Sequence, residues 1–328
     1  MRLIFFSFKH RYRKKELNNF LATRIYGKYF ILNLGGPIKY FIAKLLIFLK
    51  IVKAISCDGI PLIANKSRGI NYWMRGTTLN IPSNFKNLNN NFVTIDNPLL
   101  QNKKIFQIYP INIKKAQIQK KLKIIYMSRV NVEINKEEKE IWEEYKKQFL
   151  EDFRLIDNKK IWEKIYPNNN NELEKFSLYK KLKLLLRFEI INNVKPIFTK
   201  KLNLIGDDWS LSFNSLPSLY NVKKIKKIYM GNICLDLGSM LGSVSLYSRS
   251  NQIIESGGLI IQSYQNDSQK IWGNLHDKIL FKNLSDLILL IEKLLSNKEY
   301  CSVLLKEIYE NFKDSNKLIE ESLNKVFK

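Results

Sequence analysis

From Lys201 onward the chain alternates between short apolar runs and longer amphipathic ones, and few folds accept that order. The apolar runs are KLNLIG (Lys201–Gly206), NICLDLG (Asn232–Gly238), GLIIQS (Gly258–Ser263) and KILFKN (Lys278–Asn283). A run without polar alternation fits a strand covered on both faces. Between them lie SLPSLYNVKKIKK, with Pro217 near its start, the segment Ser243–Ser256, and SDLILLIEKLLSN, where Ser285 is placed to cap a helix. Strand followed by helix, repeated, means a parallel sheet with helices on both faces.

The earlier chain continues the pattern less cleanly. Apolar runs predict strands at Leu3–Phe8, Tyr29–Leu34, Pro61–Ala64, Phe92–Ile95, Ile105–Ile111 and Leu122–Val130. Helices are expected over Asn135–Phe153, over Glu174–Asn193 and, as the most apolar candidate, over Pro37–Ser56. A final pair of helices is expected up to Lys328. With 328 residues, 45% of them hydrophobic, the chain has material for two cores. The basic link NIKKAQIQKK suggests a domain of residues 1–115 and a second of 116–328.

Charge divides the chain in much the same place. Residues 1–129 carry 24 Lys and Arg against three acids, Glu16, Asp58 and Asp96; the remainder carries 31 against 27. The imbalance points to an anionic partner for the front half: nucleic acid, anionic lipid or a phosphate-bearing acceptor. Pro37–Ser56, interrupted by four lysines, is too short and too charged to span a bilayer and suits burial or a membrane surface. Three scattered cysteines and two histidines argue for reduced thiols in the cytoplasm and against a zinc or multi-histidine centre.

In such folds ligands bind at the carboxyl ends of the strands. Those ends are Ser128–Arg129, GDDW (Gly206–Trp209), Gly238–Gly242 and Ser263–Asn266. Five of the 13 glycines lie between Gly231 and Gly258, where backbone could approach a phosphate at a helix N-terminus. Arg129 and Arg249 are candidate diphosphate ligands, since a guanidinium matches phosphate in a two-pronged way. GxGxxG, the P-loop, Asp-x-Asp and GxSxG are all absent.

LIGDDW, IKKIYMGNICLDLG and RSNQIIESGGLII resemble, in order and spacing, the C-terminal nucleotide-binding domain of GT-B glycosyltransferases of the spore-maturation-protein-like, glycosyl transferases group 1 branch. The resemblance runs from about Lys201 to Lys293. It implies an α/β fold of two Rossmann-like domains facing a cleft. It also implies a nucleotide-sugar donor bound by Gly206, Trp209, Arg249, Gln252 and Gly257, with Arg249 on the diphosphate and Gln252 on the ribose; Arg129 joins these donor-site candidates from its place at a strand end. No metal and no cofactor is expected: arginines, lysines and helix N-termini would stabilise the leaving diphosphate. Departures are Gln252 where the family has glutamate, Asn251 for an aromatic, Glu255 for a small residue, and Val244 at the first position of the Glu-x7-Glu pair of retaining members.

The catalytic base is sought in the front half, at His10 or Asp58. Arg75, within YWMRGTT, is the candidate contact for an anionic acceptor. The expected partners are a nucleotide sugar, a glycan or lipid-linked acceptor in cell-surface polysaccharide synthesis, and an anionic membrane surface. This reads as a cytoplasmic protein, peripheral at the inner face of the plasma membrane. Two alternatives stand beside it: a non-catalytic GT-B-like protein, and a nucleic-acid binder using the basic front half with Phe5, Phe6, Tyr12, Tyr26, Tyr29 and Phe30.

Overall fold

In the computed structural model, the described residues are the strands 2–8, 24–26, 29–34, 53–57, 70–74, 92–94 and 104–105, then 109–327 apart from 129–131, 168–171, 208, 210–214, 220 and 241–242. Contacts group them into two units: Met1–Asn112 with Leu246–Asn251 and Phe312–Lys328, and Ile113–Ser245 with Gln252–Asn311.

The first unit holds a seven-stranded sheet. Its strands are β1 (Arg2–Phe8), β2 (Arg24–Tyr26), β3 (Tyr29–Leu34), β4 (Lys53–Cys57), β5 (Ile70–Met74), β6 (Phe92–Thr94) and β7 (Lys104–Ile105). They lie in the order β2-β3-β1-β4-β5-β6-β7, parallel except where β2 meets β3. The expected helix over Pro37–Ser56 is corrected at its end: Lys53–Ser56 belongs to β4 and pairs with Ile4–Ser7 of β1. In-register pairing overrides a helical reading of that short apolar run. The strands β2 and β5 had no expectation, and the expected strand Pro61–Ala64 lies outside the described residues.

The second unit is built on β8 (Ile124–Met127), β9 (Leu202–Ile205), β10 (Ile233–Asp236), β11 (Leu259–Ser263) and β12 (Leu280–Phe281), ordered β12-β11-β10-β8-β9 and parallel throughout. Numbered from its own first strand, this is the doubly wound order 2-1-3-4-5 read from the other edge. All of β10 and β11 is buried, as unbroken apolar runs require.

Its helices are α1 (Lys136–Glu151), α2 (Lys159–Ile165), α3 (Glu172–Ile197), α4 (Val222–Tyr229), α5 (Ser248–Glu255), α6 (Ser268–Trp272), α7 (His276–Ile279), α8 (Leu284–Ser296) and α9 (Lys298–Phe312); α5 is shared with the first unit, and α10 (Ser315–Phe327) belongs to it. Asn135 starts α1 with a reciprocal capping box to Glu138. Asn221, not Pro217, starts α4: its side chain accepts from the N–H groups of Lys223 and Lys224. Leu216 instead continues the sheet edge, exchanging backbone bonds with Leu204 and Gly206. Likewise Asn283, rather than Ser285, caps α8 by accepting from the Asp286 N–H.

At its end α5 closes on the glycine pair. Gly257, at φ +71°, donates to Ile254, and Gly258 donates to Ile253. This double closure needs a left-handed residue at Gly257. A Cβ there would stand 2.6 Å from the Ala116 Cβ and 2.9 Å from the Lys114 carbonyl. Among the described residues no helix is long and apolar enough to cross a membrane.

Candidate functional site

The order of the second sheet fixes where a ligand can sit. From β8 the chain winds outward to β9, while β10 and the later strands lie on the other side. In sheets of this order a crevice for ligands opens at the carboxyl ends of the two strands that flank the switch point, here β8 and β10. Ser128 follows β8, and Leu237, Gly238 and Ser239 follow β10.

Beneath the loop after β10 is a buried polar network. Gln262 donates through Nε2 to Asp236 Oδ2 (2.8 Å) and to the Ser245 carbonyl (2.7 Å), while its Oε1 accepts from Trp272 Nε1 (3.1 Å). Asp236 Oδ1 accepts from the Gly238 N–H. Asp267 accepts from the Ser245 N–H at 2.7 Å, and the Ser245 and Ser268 hydroxyls pair at 3.0 Å. Buried polar groups must find such partners, and here they pin the loop from Gly238 to Ser245 at both ends. Gly238 is at φ +78°, and a Cβ on it would meet Gln265 Nε2 at 2.5 Å. Burial, with the charge of Asp236, pushes the Cys234 thiol well above its usual range; it is a packing group under Gly258, 2.8 Å from where a Cβ would stand.

One wall of the crevice comes from α3. Its 26 residues make a rod of about 39 Å, against strands of roughly 13 Å, so it overhangs the sheet. At the carboxyl edge it presents two buried cations one turn apart. Arg187 donates to the Gly238 carbonyl, and Lys183 donates to that of Ser239 while paired with Asp157 at 3.0 Å. These cations, Ser263, Tyr264 and Gln265 line a recess of about 20 Å³, room for about one water. Phe188 of α3 stacks on Trp209, whose centroid is 6.4 Å away.

The candidate residues fall into three groups. Trp209 stands at the switch point, buried, its Nε1 donating to the Ser128 carbonyl at 2.9 Å. It therefore ties the segment after β9 to the end of β8. The N–H of Gly206 is bound by the Leu216 carbonyl at 2.8 Å. Arg249 and Gln252 are half-buried and three residues apart on α5, hence on one face. The helix was expected from Ser243 but begins at Ser248, because Ser243 and Ser245 bond to Asn266 and Asp267. That puts Arg249 in the first turn and not deeper. Gly257 precedes the amino end of β11, at the opposite edge of the sheet from the crevice. His10, Asp58, Arg75 and Arg129 lie outside the described residues.

Sequence reasoning passed over Lys183, Arg187 and the Asp236–Gln262 pair. The signal for the first two was present, as cations at i and i+4 on an otherwise apolar helical face of KLKLLLR.

Comparison with family models gives no match, and neither does comparison with curated proteins. Among solved structures, the chain is similar to S. aureus TarM, a GT-B glycosyltransferase, in a mutant crystallised with fondaparinux, alpha-GlcNAc-glycerol and UDP, at TM-score 0.50 and 12% identity. The match covers 88% of this chain and spans only 58% of the TarM chain. At that identity the likeness shows the fold: an α/β chain with parallel sheets and helices, of a kind with a GT-B glycosyltransferase.

Proposed function

We propose that this chain is a glycosyltransferase. It would bind a nucleotide-diphosphate sugar at the carboxyl ends of β8 and β10 and move the sugar to a glycan or lipid-linked acceptor. One observation supports the reading: the second sheet has the doubly wound order 2-1-3-4-5 with its switch point between β8 and β10, in a fold similar to that of a protein crystallised with UDP.

Arg249 and Arg129 would take the diphosphate, and Gln252 the ribose through its amide. In the same reading the peptide N–H groups at the start of α5 add positive potential where the leaving group gains charge. No metal enters this scheme. His10 and Asp58 are the proposed sources of a general base.

The test is a thermal-shift panel of UDP, GDP, CDP, ADP and dTDP without added metal, on wild type and Arg249→Ala. One nucleotide should raise Tm in the wild type, and the variant should lose that shift. A folded wild type indifferent to all five would sink the reading. A shift without sugar transfer would favour a non-catalytic nucleotide binder, the reading to which Gln252 and Val244 lean.

A further inference from the structure

In a parallel sheet every amino end lies on the same edge, so the residues that lead into β8, β9 and β10 share a rim. In the second unit that rim is made of lysines. Lys120, Lys121 and Lys123 lead into β8, Lys200 and Lys201 into β9, and Lys226 and Lys227 end α4 just before β10. Lys298 begins α9, its Nζ donating to the Lys120 carbonyl at 2.7 Å.

Backbone bonds hold these segments side by side: Ile124 N–H to the Lys201 carbonyl, Ile233 N–H to that of Lys123, Gln119 N–H to that of Gly231. The four segments, 117–123, 198–201, 226–232 and 297–300, contain one carboxylate, Glu299. Among the described residues none of the eight lysines is ion-paired.

Ordinary helix electrostatics accounts for little of this. Lysines suit the carbonyl end of a helix, which covers Lys226 and Lys227, but Lys298 stands at an amino end, where a cation is disfavoured. Two apolar features lie on the same edge. Ile197, at the end of α3 and just before the turn to Lys200, is 51% exposed. A recess of about 280 Å³ has Ile113, Ile254, Leu305 and Tyr309 in its lining, with three lysines (Lys114, Lys115 and Lys306) against one carboxylate, Glu310.

We infer that this amino-terminal rim of the second sheet docks on an anionic lipid surface. Lysines supply the attraction, and Ile197 with the recess takes up apolar contact. A nucleic-acid partner is less well matched: base stacking needs accessible aromatics, the exposed large apolar side chains among the described residues (Ile197, Leu216, Leu289, Val303) include none, and Tyr309 in the recess is half-buried with Lys115 Nζ over its ring at 4.9 Å. The surface draws Lys120, Lys121 and Lys123 from the basic first 129 residues and its other five rim lysines from the more balanced remainder, and it does not depend on the donor site.

The experiment is flotation of the full chain with phosphatidylcholine vesicles, with and without phosphatidylglycerol. It compares wild type, a rim variant with Lys120, Lys121, Lys200, Lys201, Lys226 and Lys227 changed to Gln, and a charge-matched control with Lys136, Lys139, Lys147, Lys159, Lys160 and Lys164 changed to Gln. Each lysine at an anionic surface contributes about fivefold in partition, ~1 kcal/mol. The rim variant should therefore lose at least about a hundredfold, and the control under about threefold. Lys200→Gln with Lys201→Gln alone should lose about twenty-five-fold and guards against misfolding of the larger variant. Equal losses in rim variant and control, retention of the rim variant on anionic vesicles, or binding of a short RNA with none to vesicles would each overturn the inference.

Discussion

Asp267 is a carboxylate in an unfavourable setting. Burial pushes its carboxyl above the usual range, and bonds from Ser245 with the charge of Lys270 offset only part of that. Its Oδ2 is buried without a hydrogen-bond partner. A folded pKa above the unfolded value means that the ionised form costs stability. The cost is absent below the ordinary value of 3.8 and grows as pH rises through the folded pKa. Asp267→Asn keeps an acceptor for the Ser245 N–H and removes the charge. The variant's Tm should match wild type near about pH 4 and exceed it by a few degrees near about pH 7; a difference that does not change with pH would refute this. At this scale the sequence was legible only in part. Arg249 and Gln252 could be placed on one helical face from spacing alone. The duties of Gly257 and Gln262 come from strands and links far away in the chain, which no local pattern reveals.

At the scale of elements, burial and hydrogen bonding decided between neighbouring polar residues that sequence could not rank. Asn283 and Ser285 are both good capping types two residues apart, and only the Asn283 side chain accepts a bond from the first turn of α8. Asn283→Ala should cost about 1 kcal/mol and lower Tm by about 2–4 °C, with Ser285→Ala within about 0.5 kcal/mol of wild type; the opposite ranking in urea or thermal melts would show the cap misplaced. The strands of the second unit were legible because their apolar runs are too short for helices and alternate with longer amphipathic segments. The start of α5 was not, since its shortening comes from serines that bond across to Asn266 and Asp267. The overhang of α3 needs the strand lengths as well as its own.

For the whole molecule, alternation alone indicated an α/β chain with parallel sheets, and the two sheets bear that out. Sequence order did not reveal that the first unit is discontinuous. It takes in α10, which lies against β2 and β7, the outer strands of its sheet. Ending the chain after Asp314 should therefore loosen the first unit and spare the second. Hydrogen exchange should speed up in β2, β3 and β7 and stay slow in β8–β11; uniform protection would argue against it. Discontinuity also sets a timetable for biosynthesis. A ribosome that has finished residue 112 makes about 200 more before α10 emerges, roughly 10–40 s at ~5–20 residues per second. The part of the protein made first is thus the last that can be completed, and for that interval a nascent sheet waits with its outer strands uncovered, a natural client for a holding chaperone.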